Sequence, residues 1–160
     1  MQPQELQKLQ ENLKGKTIIF TVGNSLKGDD GFGPVLASRI KDKIPTVIDG
    51  GTAPENYISS IIRQSPDTIL VIDAADFKGK CGEARLFDIE EMRDLNYFST
   101  HNFPLQFILK FLKNNCQQAQ VLFLGIQPKR VAFHQGLTPE LEQAENSLRN
   151  ALISILAKVK

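Results

Sequence analysis

Residues 17–33 read "TIIFTVGNSLKGDDGFG". The first six, "TIIFTV" (17–22), form a near-continuous apolar run of strand length, as a strand buried on both faces requires. The next eleven, "GNSLKGDDGFG" (23–33), hold four glycines and two adjacent acids. Beyond them Phe32, Val35, Leu36 and Ile40 recur at i, i+3, i+4 and i+8, one face of a helix. Strand, glycine turn and helix in this order open an α/β unit. A glycine turn at such a place commonly cradles a phosphate. Here no GK[ST] closes it, and glycines at 23, 28, 31 and 33 do not match G-x-G-x-x-G. Asp29 and Asp30 would also repel an anion. The turn therefore reads either as a plain turn with acids suited to a helix start, or as a site for a cation.

The rest of the chain repeats the alternation. "TVID" (46–49) is a second strand, followed by "DGGTAPEN" and a helix opening at Pro54, with Ile58, Ile61 and Ile62 as its apolar face. "TILVIDA" (68–74) is a third buried strand, and "GEARLFDI" (82–89) a shorter one suited to an edge. A helix runs from about Pro104, with Leu105, Ile108, Leu109 and Leu112 on one side. "QVLFLGIQ" (120–127) is the last core strand. The final helix follows "LTPE", where Thr138 reads as a cap before Pro139. In front of the first strand, residues 1–15 form an additional helix with Leu6, Leu9 and Leu13 aligned and Gly15 to stop it. The expected fold is a single-domain α/β/α sandwich of three layers around a mostly parallel twisted sheet.

Composition limits the function. The 160 residues suit one domain, and 19 basic against 18 acidic side chains leave a net charge of +1. That balance argues against a nucleic-acid partner. No apolar run reaches the roughly 18–20 residues needed to insert in a membrane. The N-terminal stretch "MQPQELQKLQENLKGK" lacks the apolar region of a secretory leader. Cys81 and Cys116 are far apart and form no CxxC pair, which suits free thiols in a reducing, cytoplasmic setting. No apolar stripe beyond the needs of a core is evident, so the expected state is a monomer.

In parallel sheets, ligand sites form beyond the carboxyl ends of the strands. Asp29, Asp30, Asp49 and Asp73 all lie at or just after such ends, with Asp76 and His101 in nearby loops. Each has an ordinary reading as a cap or a loop residue. Together, several carboxylates and one imidazole suit nickel, zinc or manganese, and a metal so held can polarise a carbonyl or activate water. His134 is the only other histidine and a weaker candidate. HExxH and G-x-S-x-G are both missing, and neither Ser25 nor Ser99 has an evident base.

The stretches "GNSLKGDDGFGP", "IDGGTAPENYI", "LVIDAADFKGKCGEARLF", "STHNFPL" and "FLGIQPKRVAFHQGLTPEL" occur in this order. In them the chain resembles the nickel–iron hydrogenase maturation endopeptidases, of the type that processes hydrogenase 3. The resemblance runs from Lys16 to the C-terminus, which makes residues 1–15 an N-terminal helical extension and 16–160 the protease domain. It implies an α/β/α enzyme that clips a C-terminal extension from a hydrogenase large-subunit precursor already loaded with nickel. It implies Asp30, Asp73 and His101 as metal contacts, Asp30 and Asp73 also as the catalytic acids, and Asp49 and Asp29 as supporting residues. The nickel would be carried by the precursor, with no resident organic cofactor. Two alternatives remain: a hydrolase with its own resident metal, and a non-catalytic nickel-binding module.

Overall fold

A computed structural model of the chain describes residues 1–89, 92 and 105–158. Helix α1 (Pro3–Asn12) leads into strand β1 (Thr17–Thr21). A 3₁₀ turn (Gly28–Gly31) opens helix α2 (Phe32–Ile40), followed by β2 (Val47–Asp49). A second 3₁₀ turn (Pro54–Tyr57) precedes the short helix α3 (Ile58–Arg63), and β3 (Thr68–Ala74) follows. The chain continues through β4 (Ala84–Asp88), α4 (Leu105–Asn115), β5 (Gln120–Ile126) and α5 (Pro139–Leu156). The five strands lie in the order β2-β1-β3-β5-β4. Pairs β1–β2, β1–β3 and β3–β5 are parallel, and β4 closes one edge antiparallel to β5. The mostly parallel α/β architecture is the one the sequence patterning implies.

Strand periodicity assigns the layers. On β1 and β3, Ile19, Leu70 and Ile72 enter one core cluster, while Ile18, Phe20, Ile69 and Val71 enter the other. The first cluster is covered by Leu9 and Leu13 at α1, Phe32, Leu36 and Ile40 of α2, and Leu141, Leu148 and Leu152 of α5. The second is covered by Ile61 of α3 and Ile108, Leu109 and Leu112 of α4. The reason is topological. The β1–α2–β2 connection runs one way across the sheet, and β2–α3–β3 runs back past β1. Crossovers of one hand then put α2 and α3 on opposite faces.

Helix α1 packs on the sheet rather than standing off it. Leu9 and Leu13 are fully buried, and Glu5 reaches the open edge of β4, where its Oε2 accepts the Leu86 N–H at 2.8 Å. An edge strand with a covered donor is a poorer template for unwanted pairing. Helices α2 and α5 are joined by Arg39. Its guanidinium donates to Glu142 Oε2 at 2.9 Å and to Glu145 Oε2 at 2.6 Å, and Glu145 is fully buried. These carboxylates hold the Arg39 pKa above its ordinary value.

Candidate active site

The connections diverge from β1, so the carboxyl ends of β1 and β3 form the switch point of the sheet, where open α/β sheets place their ligands. At this point the Val22 N–H donates to Ile72 O at 2.9 Å, and the chain then folds back on itself. A Cβ at Gly23 would lie 2.1 Å from the carbonyl oxygen of Asp30, so only glycine allows that approach. The Asn24 N–H donates to both the carbonyl (3.0 Å) and the carboxylate Oδ2 (3.1 Å) of Asp30. The two acids lie on the 3₁₀ turn just ahead of α2, not in its first turn, and this turn packs against β3.

The structure gives these neighbours different surroundings. Asp29 has no exposed surface, and its carboxylate takes four hydrogen bonds from the loop between β5 and α5. Oδ2 accepts from Lys129 N at 2.8 Å, Arg130 N at 2.9 Å and Thr138 Oγ1 at 3.0 Å, and Oδ1 from Thr138 N at 2.7 Å. Buried carboxylates require such compensation. The Asp29 N–H in turn donates to Arg130 O at 3.0 Å. Asp29 thus ties the glycine turn to the 129–138 loop. Thr138 does occupy the cap position of α5, yet its side chain makes no capping bond, and its hydroxyl instead donates to Asp29.

Asp30 is 2% exposed. Asp73, 1% exposed, lies near the end of β3 in register with Gly125. The fold therefore brings two buried carboxylates to the switch point. Asp49 ends β2 one strand further out and is exposed. Its Oδ1 accepts from Thr21 Oγ1 at 3.3 Å and Gly51 N at 3.0 Å, which closes the turn after β2. Asp76 accepts from Lys78 N and Gln127 Nε2 and pairs with Lys78 Nζ at 2.7 Å. The Lys78 side chain, then the Lys78 N–H, then Gln127 lower the Asp76 pKa to about 2. His134 is exposed, and its backbone bridges to Lys27. His101 lies outside the described residues. Among the described residues, no three His, Cys, Asp or Glu side chains come together in a group able to hold a metal ion.

Two features were not anticipated from sequence. Gln127 is a buried organiser: its Oε1 accepts from Phe77 N and Gly79 N, both at 3.0 Å, and shapes the loop after β3. A polar residue closing an apolar strand is the only sequence signal of that role. The second is exposed apolar surface outside the core, which no stripe in the sequence announces. Leu26, Phe107, Phe111 and Phe133 are all more than half exposed. Spacing alone cannot tell an apolar loop residue that packs from one that does not.

A family model described as hydrogenase maturation protease (HycI) matches residues 6–155. The hydrogenase 3 maturation protease of Escherichia coli K12 is 37% identical over 138 residues, covering 84% of this chain and 87% of that protein. A putative hydrogenase maturation protease of Methanocaldococcus jannaschii is 34% identical, covering 91% and 90%. Among solved structures, the NiFe hydrogenase maturation protease HycI from Thermococcus kodakarensis KOD1 superposes with a TM-score of 0.81 at 28% identity, covering 94% of this chain and 99% of that one. The solution structure of the Escherichia coli endopeptidase HycI gives 0.77 at 36% identity, covering 88% and 90%.

Proposed function

The chain belongs to the hydrogenase maturation protease family, and on that premise we propose that it is the endopeptidase that removes a C-terminal extension from a nickel-loaded nickel–iron hydrogenase large-subunit precursor. The observation that carries the reading is the burial of Asp30 and Asp73 together at the switch point of the sheet. Buried carboxylates are costly, and two of them at the ligand-binding end of a parallel sheet mark a candidate functional site.

In this reading Asp30 and Asp73 offer oxygen donors to the nickel in the precursor, and His101 offers a nitrogen. Such a set suits a borderline divalent metal. The metal arrives with the substrate, and a precursor without nickel loses these bonds and docks poorly. Cleavage adds water across the scissile C–N bond to leave a carboxylate and an amine. Asp30 or Asp73 acting as general base would take the proton of the attacking water and pass it to the leaving amine; the alternative is Lewis-acid polarisation of the carbonyl, the chemistry that the precursor's nickel would supply. Asp49 supports the neighbouring turn, and Asp29 supports Asp30 through the backbone they share. We further propose a cytoplasmic monomer. The observation favouring a reducing compartment is that Cys81 and Cys116 are both free thiols.

The test is mass spectrometry of a cognate large-subunit precursor incubated with the protein, with and without inserted nickel. Loss of a C-terminal peptide from the nickel-loaded sample alone is the expected result. Cleavage of both samples would remove the nickel gate, and cleavage of neither would overturn the protease reading. Stoichiometric metal in the purified protein would replace the substrate-borne nickel with a resident ion.

A further inference from the structure

The rim beside Asp30 carries bulky apolar side chains for which neither the core nor the chemistry has a use. Phe133 is 83% exposed and Leu26 59%, with Val131 on the same loop also exposed. They sit on a braced backbone. The His134 N–H donates to Leu26 O at 3.1 Å and the Gly28 N–H to His134 O at 2.9 Å, while Asp29 holds the base of the loop. Gly28 has φ +61°, and a Cβ there would stand 2.9 Å from Arg130 O, so the two loops meet only because that position is glycine. Apolar groups held in water on a hydrogen-bonded scaffold are characteristic of an interaction surface.

The charges around the patch indicate what it receives. Lys27 Nζ lies 5.9 Å from the centre of the Phe133 ring. Among the described residues, Lys27 and Arg130 form no ion pair, whereas nearby Lys129 is paired with Glu140 and Lys78 with Asp76. An exposed aromatic ring with Lys27 against it, and Arg130 three residues earlier on the same loop, complements an apolar anchor flanked by carboxylates. A second copy of this chain fits poorly. Two such patches face to face would bring both sets of Lys27 and Arg130 together, and like charges in an interface are repelled.

We propose that Leu26, Val131 and Phe133, ringed by Lys27 and Arg130, dock an acidic segment of the large-subunit precursor through a bulky apolar side chain, and so hold its scissile bond at Asp30 and Asp73. This inference rests on the protease reading and deepens it. Leu26 is four residues from Asp30 along a hydrogen-bonded turn, so a segment seated on the patch is registered against the buried acids.

The experiment measures both affinity for, and shortening of, nickel-loaded precursor by the wild type and by three variants. The double variant Leu26→Ser/Phe133→Ser is expected to weaken binding and raise KM at least about tenfold, with a much smaller change in kcat. Lys27→Glu/Arg130→Glu is expected to raise KM and to reverse the sign of its dependence on salt, because added salt then screens a repulsion. Phe111→Ser, an equally apolar exposed position on α4, is the control and should leave KM unchanged. Unchanged affinity in the first two variants, or an equal loss in the control, overturns the docking site. So does a wild-type dimer that the apolar double variant dissolves, since the occupant is then a second copy. Wild-type binding without shortening would defeat the protease reading while the affinity ratios still decide the docking site.

Discussion

At the amino end of the sheet, Asp67 sits exposed on the turn before β3, and its Oδ2 accepts the Lys16 N–H at 2.7 Å. At the carboxyl end, Asp29, Asp30 and Asp73 are each no more than 2% exposed. The difference follows from how a parallel sheet is wound. Each crossover helix begins near the carboxyl end and finishes near the amino end, so one end gathers helix N-termini and free N–H donors, and the other gathers helix C-termini. Carboxylates are stabilised at the first. Cations suit the second, and a cleft of about 290 Å³ there is lined by Lys16 and Lys43. Asp67 at the amino end serves as a hydrated turn lock. At the carboxyl end the same residue type is carried into the interior.

The sharpest way to break this comparison is to remove acids from both ends. Asp30→Ala or Asp73→Ala is expected to lower the rate of precursor shortening at least about 100-fold, the scale of a lost general base or metal contact. Asp67→Ala is expected to leave that rate unchanged and to cost about 1 kcal/mol of stability through its lost backbone bond. Mass spectrometry over time reads the rates. Full processing by either of the first two variants would end the assignment of those acids.

The neighbouring acid tests burial without chemistry. Asp29→Asn keeps the shape but places an amide among four donors, so some of them lose their acceptor. Urea unfolding should show a loss of about 2–3 kcal/mol. A smaller but similar test lies between α2 and α5. Arg39→Met leaves buried Glu145 with only Arg149, whose Nε is 3.3 Å away. Breaking a buried pair is costly, but Arg39 is partly exposed, so about 1–3 kcal/mol is expected by the same measurement.

These contrasts mark where the sequence was readable. "TILVIDA" reads as a strand at 68–74, and β3 spans those residues, because an apolar run between turn signals that is this short and this rich in β-branched residues suits a strand and not a helix. The edge position of β4 was likewise visible in its shorter pattern. Asp29 and Asp30 were visible as a pair, but their division of labour was not. The partners of Asp29 lie at 129, 130 and 138, about a hundred residues away, and no local pattern links them. Thr138 before Pro139 carries the signature of a capping side chain, and a long-range acceptor outcompetes the cap. The expected helix at Pro54 begins instead as a 3₁₀ turn, with α3 starting only at Ile58. Phe133 looks like any apolar residue until the fold leaves it outside.

The smallest expected effect concerns Asp76, an acid at the carboxyl end that behaves like Asp67 at the other. It is paired with Lys78 at the surface rather than buried, and that pairing holds its pKa at about 2 against an ordinary 3.8. The folded value is the lower one, so the folded state binds the proton less readily than the unfolded chain. The contribution of the pair to stability is therefore fully present above pH 3.8 and fades as the pH falls towards 2. The side chains are exposed, so the effect is slight, and it reads best as a titration rather than as a change in Tm. The carboxyl carbon resonance of Asp76 should titrate near pH 2 in the wild type. In Lys78→Ala it should move up towards 3.8, since the lysine side chain is the largest cause of the shift, while the backbone N–H of residue 78 and Gln127 still hold it somewhat below. An unmoved midpoint would mean that Gln127 and the backbone alone set it, and that this acid belongs with the interior group rather than with the turn locks.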